Sequence, residues 1–149
     1  MNENYKTGKD LTKEPPRSPH VKVGGFMILG RTIDKCRALL FGTIGEYHFD
    51  CPLDNQLFGS MDLKGDDFKA FVAEGHSDDE IAAWVEKEGQ TKTDAEISEW
   101  NDMVSSNNYS GQPAEKKEWL EGENTRLGLD KDGTLFDMLD ADDKASFKK

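Results

Sequence analysis

The stretch FMILGRTIDKCRALLFG, residues 26–42, decides the fold class. Phe26, Leu29, Ile33, Cys36 and Leu40 fall at i, i+3, i+7, i+10 and i+14, one stripe of an α-helix, and Ile28, Thr32 and Leu39 widen it. Arg31, Asp34 and Lys35 take the opposite face, where Arg31 and Asp34 are spaced to pair at i, i+3. Arg37 falls near the edge of the stripe. Gly30 is a potential break, so the pattern predicts a helix from Arg31 to Phe41, ended by Gly42.

Upstream, KEPPRSPH at 13–20 sets three prolines in eight residues, and each pushes its predecessor toward extended geometry. Residues 1–19 therefore read as an irregular arm with Leu11 as its aliphatic anchor, and Ser18-Pro19 has the form of a helix or turn start. Downstream, helical signals recur. Cys51-Pro52 opens a segment to about Gly59, with Leu53, Leu57 and Phe58 inward. Asp66 to Glu74 places Phe68, Phe71 and Val72 on one side, and Gly75 closes it. Ser77 with Glu80, and Thr93 with Glu96, each form a capping box ahead of an Ile-x-x-Trp pair, which assigns Trp84 and Trp100 to the core. A polar helix follows from Pro113 to about Leu127, and the end of the chain shows one apolar turn (Leu135, Phe136, Met138, Leu139) before a charged tail. With scarcely a strand signal, the expectation is an all-α bundle of six or seven short helices. It divides into the arm at 1–19, a helical domain at 20–106 and an acidic, partly mobile helical extension at 107–149.

The chain has 149 residues, enough for one domain that needs no disulfide or metal to fold. No apolar run approaches the eighteen or so residues of a membrane helix, and MNENYKTGKD lacks the apolar stretch of a secretion signal. A bacterial-type cytoplasmic protein is expected, with reduced thiols favoured over a Cys36–Cys51 disulfide. Net charge is −11, unevenly spread. Residues 1–50 hold eight Lys/Arg against six Asp/Glu, net +2, whereas residues 51–149 hold eleven against twenty-four, net −13. Such a field repels phosphate backbones and anionic lipid, so neither nucleic acid nor a membrane surface is an expected partner. A small anion belongs in the first third. A protein partner could instead meet the acidic last fifty residues or Trp119, a large apolar side chain on a polar helix.

Three sets of residues bear on chemistry. Cys51 stands at a predicted helix N-terminus, where free amides favour a thiolate, and His48 precedes it by three residues. A cysteine-dependent enzyme or redox protein would use that pair, although the lone His-x-x-Cys is a weak signal and helix capping with core packing is the favoured account of Cys51. No metal is expected: His20, His76 and Cys36 lack ligand spacing. The DKDG at 130–133 fails as a calcium loop, because Gly128 and Leu139 would occupy its first and twelfth positions. No cofactor signature is present. The third set is ionic: Arg17, Arg31, Asp34, Lys35 and Arg37 concentrate beside Gly24-Gly25, with Tyr47 and His48 following. Arginines clamp carboxylate or phosphate, and a glycine pair ahead of a helix lets amides approach an anion. The competing reading is an internal ion network, Arg37 pairing with an acid such as Asp54.

Asp10-Leu11-Thr12, Pro16 to Pro19, Gly24-Gly25, Arg31, Ile33 to Lys35, Arg37-Ala38, Gly45 and Tyr47 together resemble the opening of the bacterial family called domain of unknown function 5069. The likeness covers about residues 10–88. It implies a small, soluble, mostly helical protein and transfers no catalytic residue. Its distinctive polar positions fall on the ionic cluster, which makes a non-enzymatic module binding a small anionic ligand or protein partner the leading expectation. The thiol reading is the alternative.

Overall fold

The computed structural model describes residues 9–90 and 92–147. Seven helices occur among them: α1 (Leu29–Phe41), α2 (Pro52–Met61), α3 (Gly65–Ala73), α4 (Asp78–Glu88), α5 (Asp94–Ser105), α6 (Ala114–Arg126) and α7 (Leu135–Ser146). Among the described residues the β structure is an isolated bridge between Val23 and Phe26, so the fold is all-α as expected. The first eight residues of the expected arm lie outside the described residues.

α1 is the central helix. It packs on α2, α3 and α4 and is buried without interruption from Leu29 to Cys36. An amphipathic surface helix would expose one side of every turn. Here Arg31, Thr32, Asp34 and Lys35 are buried along with Ile33, so the polar side opposite the apolar stripe is enclosed as well. Nor do Arg31 and Asp34 pair with each other: Arg31 meets Asp143 and Asp34 meets Arg17. A charge taken out of water needs a well-placed opposite charge, and each buried ion of α1 finds one on another segment.

The start of α1 is prepared by a two-residue hairpin. Val23 and Phe26 exchange both backbone hydrogen bonds at 3.0 Å, and Gly24 and Gly25 between them have φ of 58° and 87°. Two consecutive positive φ values define the turn that matches strand twist, and glycine adopts them at no steric cost. Asn101 of α5 clamps this turn, donating to the Gly25 carbonyl at 2.8 Å and accepting from the Met27 N–H at 3.0 Å. The glycine pair thus serves a turn packed on α4, where a Cβ on Gly24 would overlap that of Ala82. Ile28 then enters α1 with φ of 74°, its N–H donating to the Pro19 carbonyl at 2.9 Å. At the other end Gly42 is left-handed, and the Thr43 N–H reaches back to Ala38 at 2.8 Å. Leu11 donates to the Thr43 carbonyl and is 1% exposed, so the arm is anchored where its one aliphatic residue predicted.

The remaining caps follow the sequence. Pro52 occupies the first turn of α2 with Cys51 as N-cap, and the Ser77–Glu80 and Thr93–Glu96 boxes open α4 and α5. Trp84 and Trp100 lie half-buried at the edge of the core instead of inside it. The larger departure is α7. It continues through the supposed charged tail to Ser146, and Leu135, Phe136 and Met138 join Leu120 of α6 in the same apolar cluster as Phe26 and Ile33. No helix among the described residues is long and apolar enough to cross a membrane.

Candidate functional site

The cationic cluster read from the sequence resolves into two sets on different sides of α1. Arg17, Asp34 and Arg37 belong to the first, with Asp78 at the start of α4. Arg17 Nε lies 3.1 Å from Asp34, and Asp78 accepts from both Arg17 and Arg37 at 2.8 Å. The Arg17 backbone N–H also donates to Asp34 at 2.8 Å, and Arg37 donates to the His76 carbonyl at 3.0 Å. Burial raises the Asp78 carboxyl, but the hydrogen bond from Arg17 and the charges of Arg17 and Arg37 outweigh it and hold the group below its ordinary value of 3.8. Asp78 also heads a helix, where a negative charge is favoured. This set ties the arm, α1 and α4 together, and Arg37 pairs with Asp78 instead of Asp54.

Arg31, Lys35, Tyr47 and His48 belong to the second set and line a cleft of about 760 Å³, together with Cys51. Its inner wall is α1, one side is the 45–51 loop with the start of α2, and the other is α7, with Tyr109 and Trp119 alongside. Asp143 accepts from Arg31 at 2.7 and 3.3 Å, a two-pronged pairing, and from the Tyr47 hydroxyl at 2.7 Å. The Arg31 guanidinium also lies 5.6 Å from the centre of the Tyr47 ring, which stacks on Phe147. Burial, then the hydrogen bond to the Asp143 carboxylate, pushes the Tyr47 phenol well above its ordinary value.

Deeper toward α2, Lys35 Nζ lies 2.9 Å from Asp54 and donates to Cys51 Sγ at 3.2 Å. Asp54 is fully buried and also accepts from the Thr32 hydroxyl at 2.7 Å and the Asp50 N–H at 2.9 Å. Each carboxylate oxygen is therefore matched, which is what makes a buried ion pair tolerable. His48 faces the same cleft, but among the described residues the polar partner of the Cys51 sulfur is Lys35, not His48. Both cysteines are free thiols. Cys36 is fully enclosed and burial pushes its thiol up to about 12, so Cys51 is the thiol that the cleft presents.

The rim carries backbone strain. Asp50 in the loop and Tyr109 opposite, neither of them glycine, have φ of 62° and 63°. Such conformations cost non-glycine residues about 1–2 kcal/mol and persist where surrounding contacts dictate them. The apolar part of the lining comes from Leu11, Leu53, Trp119, Leu135, Leu139 and Phe147, beside the polar Thr12, Gln56 and Ser146 and the acidic Glu46 and Asp142.

The sequence reading missed the contribution of α7. Leu135, Leu139, Asp143 and Phe147 recur every four residues, and all four line the cleft. That spacing was the available signal, and the carboxylate within it concealed the stripe. No curated protein matches the chain. A family model does, over residues 13–145, which takes in the last part of the arm, α1 and all but the last residue of α7. The chain belongs to the family described as domain of unknown function (DUF5069).

Proposed function

We propose that this protein is a small-molecule binding module whose site is the cleft between α1, the 45–51 loop and α7. The observation that carries this reading is the combination of a largely apolar, partly aromatic lining with the buried, hydrogen-bonded pairs of Arg31 with Asp143 and Lys35 with Asp54. Small-molecule sites have this character and commonly occupy about 300–1,000 Å³, and the cleft measures about 760 Å³.

The floor also bears on ligand charge. Arg31 and Lys35 are matched one-for-one by Asp143 and Asp54, and Glu46 and Asp142 stand at the cleft as well. The local excess of positive charge that favoured a phosphate is gone. A ligand with an apolar body and an uncharged or zwitterionic end suits these walls, its polar end bonding to Tyr47 and to the free edges of the Arg31–Asp143 pair. The test is a thermal-shift screen of neutral, zwitterionic, carboxylate and phosphate compounds, repeated on a cleft-filling Leu139→Trp variant. A neutral or zwitterionic compound that raises Tm in the parent and not in the variant is expected. Stabilisation that persists in the variant, or a screen in which nothing stabilises the parent, refutes the reading.

A second reading, a thiol-dependent activity, is favoured by the Lys35 ammonium 3.2 Å from Cys51 Sγ inside the cleft. It predicts alkylation of Cys51 near neutral pH faster than that of a free thiol, slowed by Lys35→Met and little changed by His48→Ala. Labelling at the ordinary rate removes it.

A further inference from the structure

Away from the cleft, folding brings His20 to Asp137 and Asp140 across 117 residues of sequence. The two aspartates are i, i+3 neighbours on α7, so one helical face offers both. His20 comes from the arm, and its ring meets the fully buried Phe136 edge-on at 5.2 Å. Both carboxylates approach the same nitrogen: His20 Nε2 is 3.2 Å from Asp137 Oδ1 and 3.6 Å from Asp140 Oδ2.

One Nε2–H has one direction and serves one carboxylate well, leaving the second beside a like charge. A cation that accepts the nitrogen lone pair and one oxygen from each aspartate resolves the conflict. In a four-coordinate ion with bonds of about 2.0–2.1 Å, neighbouring donor atoms stand about 3.3 Å apart. The two separations from the imidazole nitrogen, 3.2 and 3.6 Å, bracket that spacing, and the three ligand atoms all lie within 4.8 Å of one another. His76 provides the contrast, since Glu74 meets its Nε2 at 3.1 Å and Glu80 its Nδ1 at 3.6 Å. Carboxylates at opposite ring nitrogens do not share one ion with the imidazole. The chain's charge of −11 adds a general attraction for cations.

We infer that His20, Asp137 and Asp140 form a binding site for a divalent transition-metal ion of the zinc class, which fastens the arm to α7. The imidazole selects this class over magnesium and calcium, which prefer all-oxygen shells. Three protein ligands leave a fourth position for water. Because α7 also forms one side of the cleft, the ion stabilises the arrangement that holds the cleft, whatever the cleft binds.

The experiment titrates the tag-free full chain with Zn(II), with Mg(II) as control, following Tm, and with Co(II), following visible absorption. One ion per chain is expected, with a Tm rise of about 5–10 °C at a hundredfold excess over Kd, reversed by chelator. The rise should be absent with Mg(II), lost in His20→Ala and in Asp140→Asn, and retained in Cys51→Ser. The substituted side chains at the site are surface groups, so metal-free Tm values of these variants serve as the folding control. No rise with Zn(II), a rise that survives both site variants, or one lost in Cys51→Ser overturns the assignment.

Discussion

Asp143→Ala removes a carboxylate that joins α7 to the central helix, and its cost follows from the burial of the groups left behind. The Arg31 side chain is 4% exposed and that of Asp143 9%. Without Asp143 the guanidinium keeps a long contact to the Arg17 carbonyl at 3.4 Å and its place over the Tyr47 ring, and the Tyr47 hydroxyl loses its acceptor. Breaking a buried pair by deleting one partner costs about 3–5 kcal/mol, and an orphaned hydroxyl adds up to about 1 kcal/mol. A loss of about 4 kcal/mol is a large share of the roughly 5–15 kcal/mol typical of a domain and corresponds to a Tm drop of roughly 8–16 °C. Urea unfolding followed by circular dichroism measures it. The double variant Arg31→Met with Asp143→Leu should recover most of the loss, because matched apolar groups replace a buried ion pair at little cost. A single-variant loss below about 1 kcal/mol, or a double variant less stable than the single, would refute the reasoning.

Two pH effects and one packing effect follow. The carboxyl of Asp78 is held below 3.8 in the folded chain, so its contribution is present above that value and lost as pH falls through the lowered one. Asp78→Asn should therefore flatten the fall in Tm as pH drops below about 4; an undiminished fall contradicts the network. At the alkaline end the Tyr47 phenol is raised above 10.0 by burial and the Asp143 hydrogen bond, so the unfolded chain ionises first and stability declines as pH rises past that value. Tyr47→Phe should reduce this decline, read from Tm across the alkaline range. Gly24→Ala places a Cβ against Ala82 at a residue with φ of 58°. It should lower stability by about 2 kcal/mol in the same urea assay, whereas a neutral result means the turn is not packed on α4.

Local grammar was legible and long-range pairing was not. Gly42, the Pro52 start and the two capping boxes each act within a few residues, so their helices were readable with near-correct ends. α1 was located by its apolar stripe, but the partners of its polar side, read as an Arg31–Asp34 pair, were not legible. Periodicity distinguishes polar from apolar residues but does not show a carboxylate arriving from 112 positions away, as Asp143 does at Arg31. The same limit split the cationic cluster. Arg37 and Lys35 are two residues apart on α1 but serve Asp78 and Asp54 on opposite flanks. Of the candidate site, Arg31, Lys35, Tyr47, His48 and Cys51 line the cleft, whereas Arg17, Asp34 and Arg37 join the network at α4. α7 escaped notice as a wall because its stripe passes through an aspartate, and His20 could not be matched to Asp137 without the fold.

The role of the cleft is tested most directly by amide chemical-shift mapping of the 15N-labelled protein with the compound that the thermal-shift screen selects. Binding between α1 and α7 predicts that the largest shifts fall on Gly45 to Cys51, Tyr109 and Leu139 to Phe147, with Val72 and Ala82 unmoved. Largest shifts centred on Asp78, Phe71 and Trp84, with the α7 amides unchanged, would contradict it.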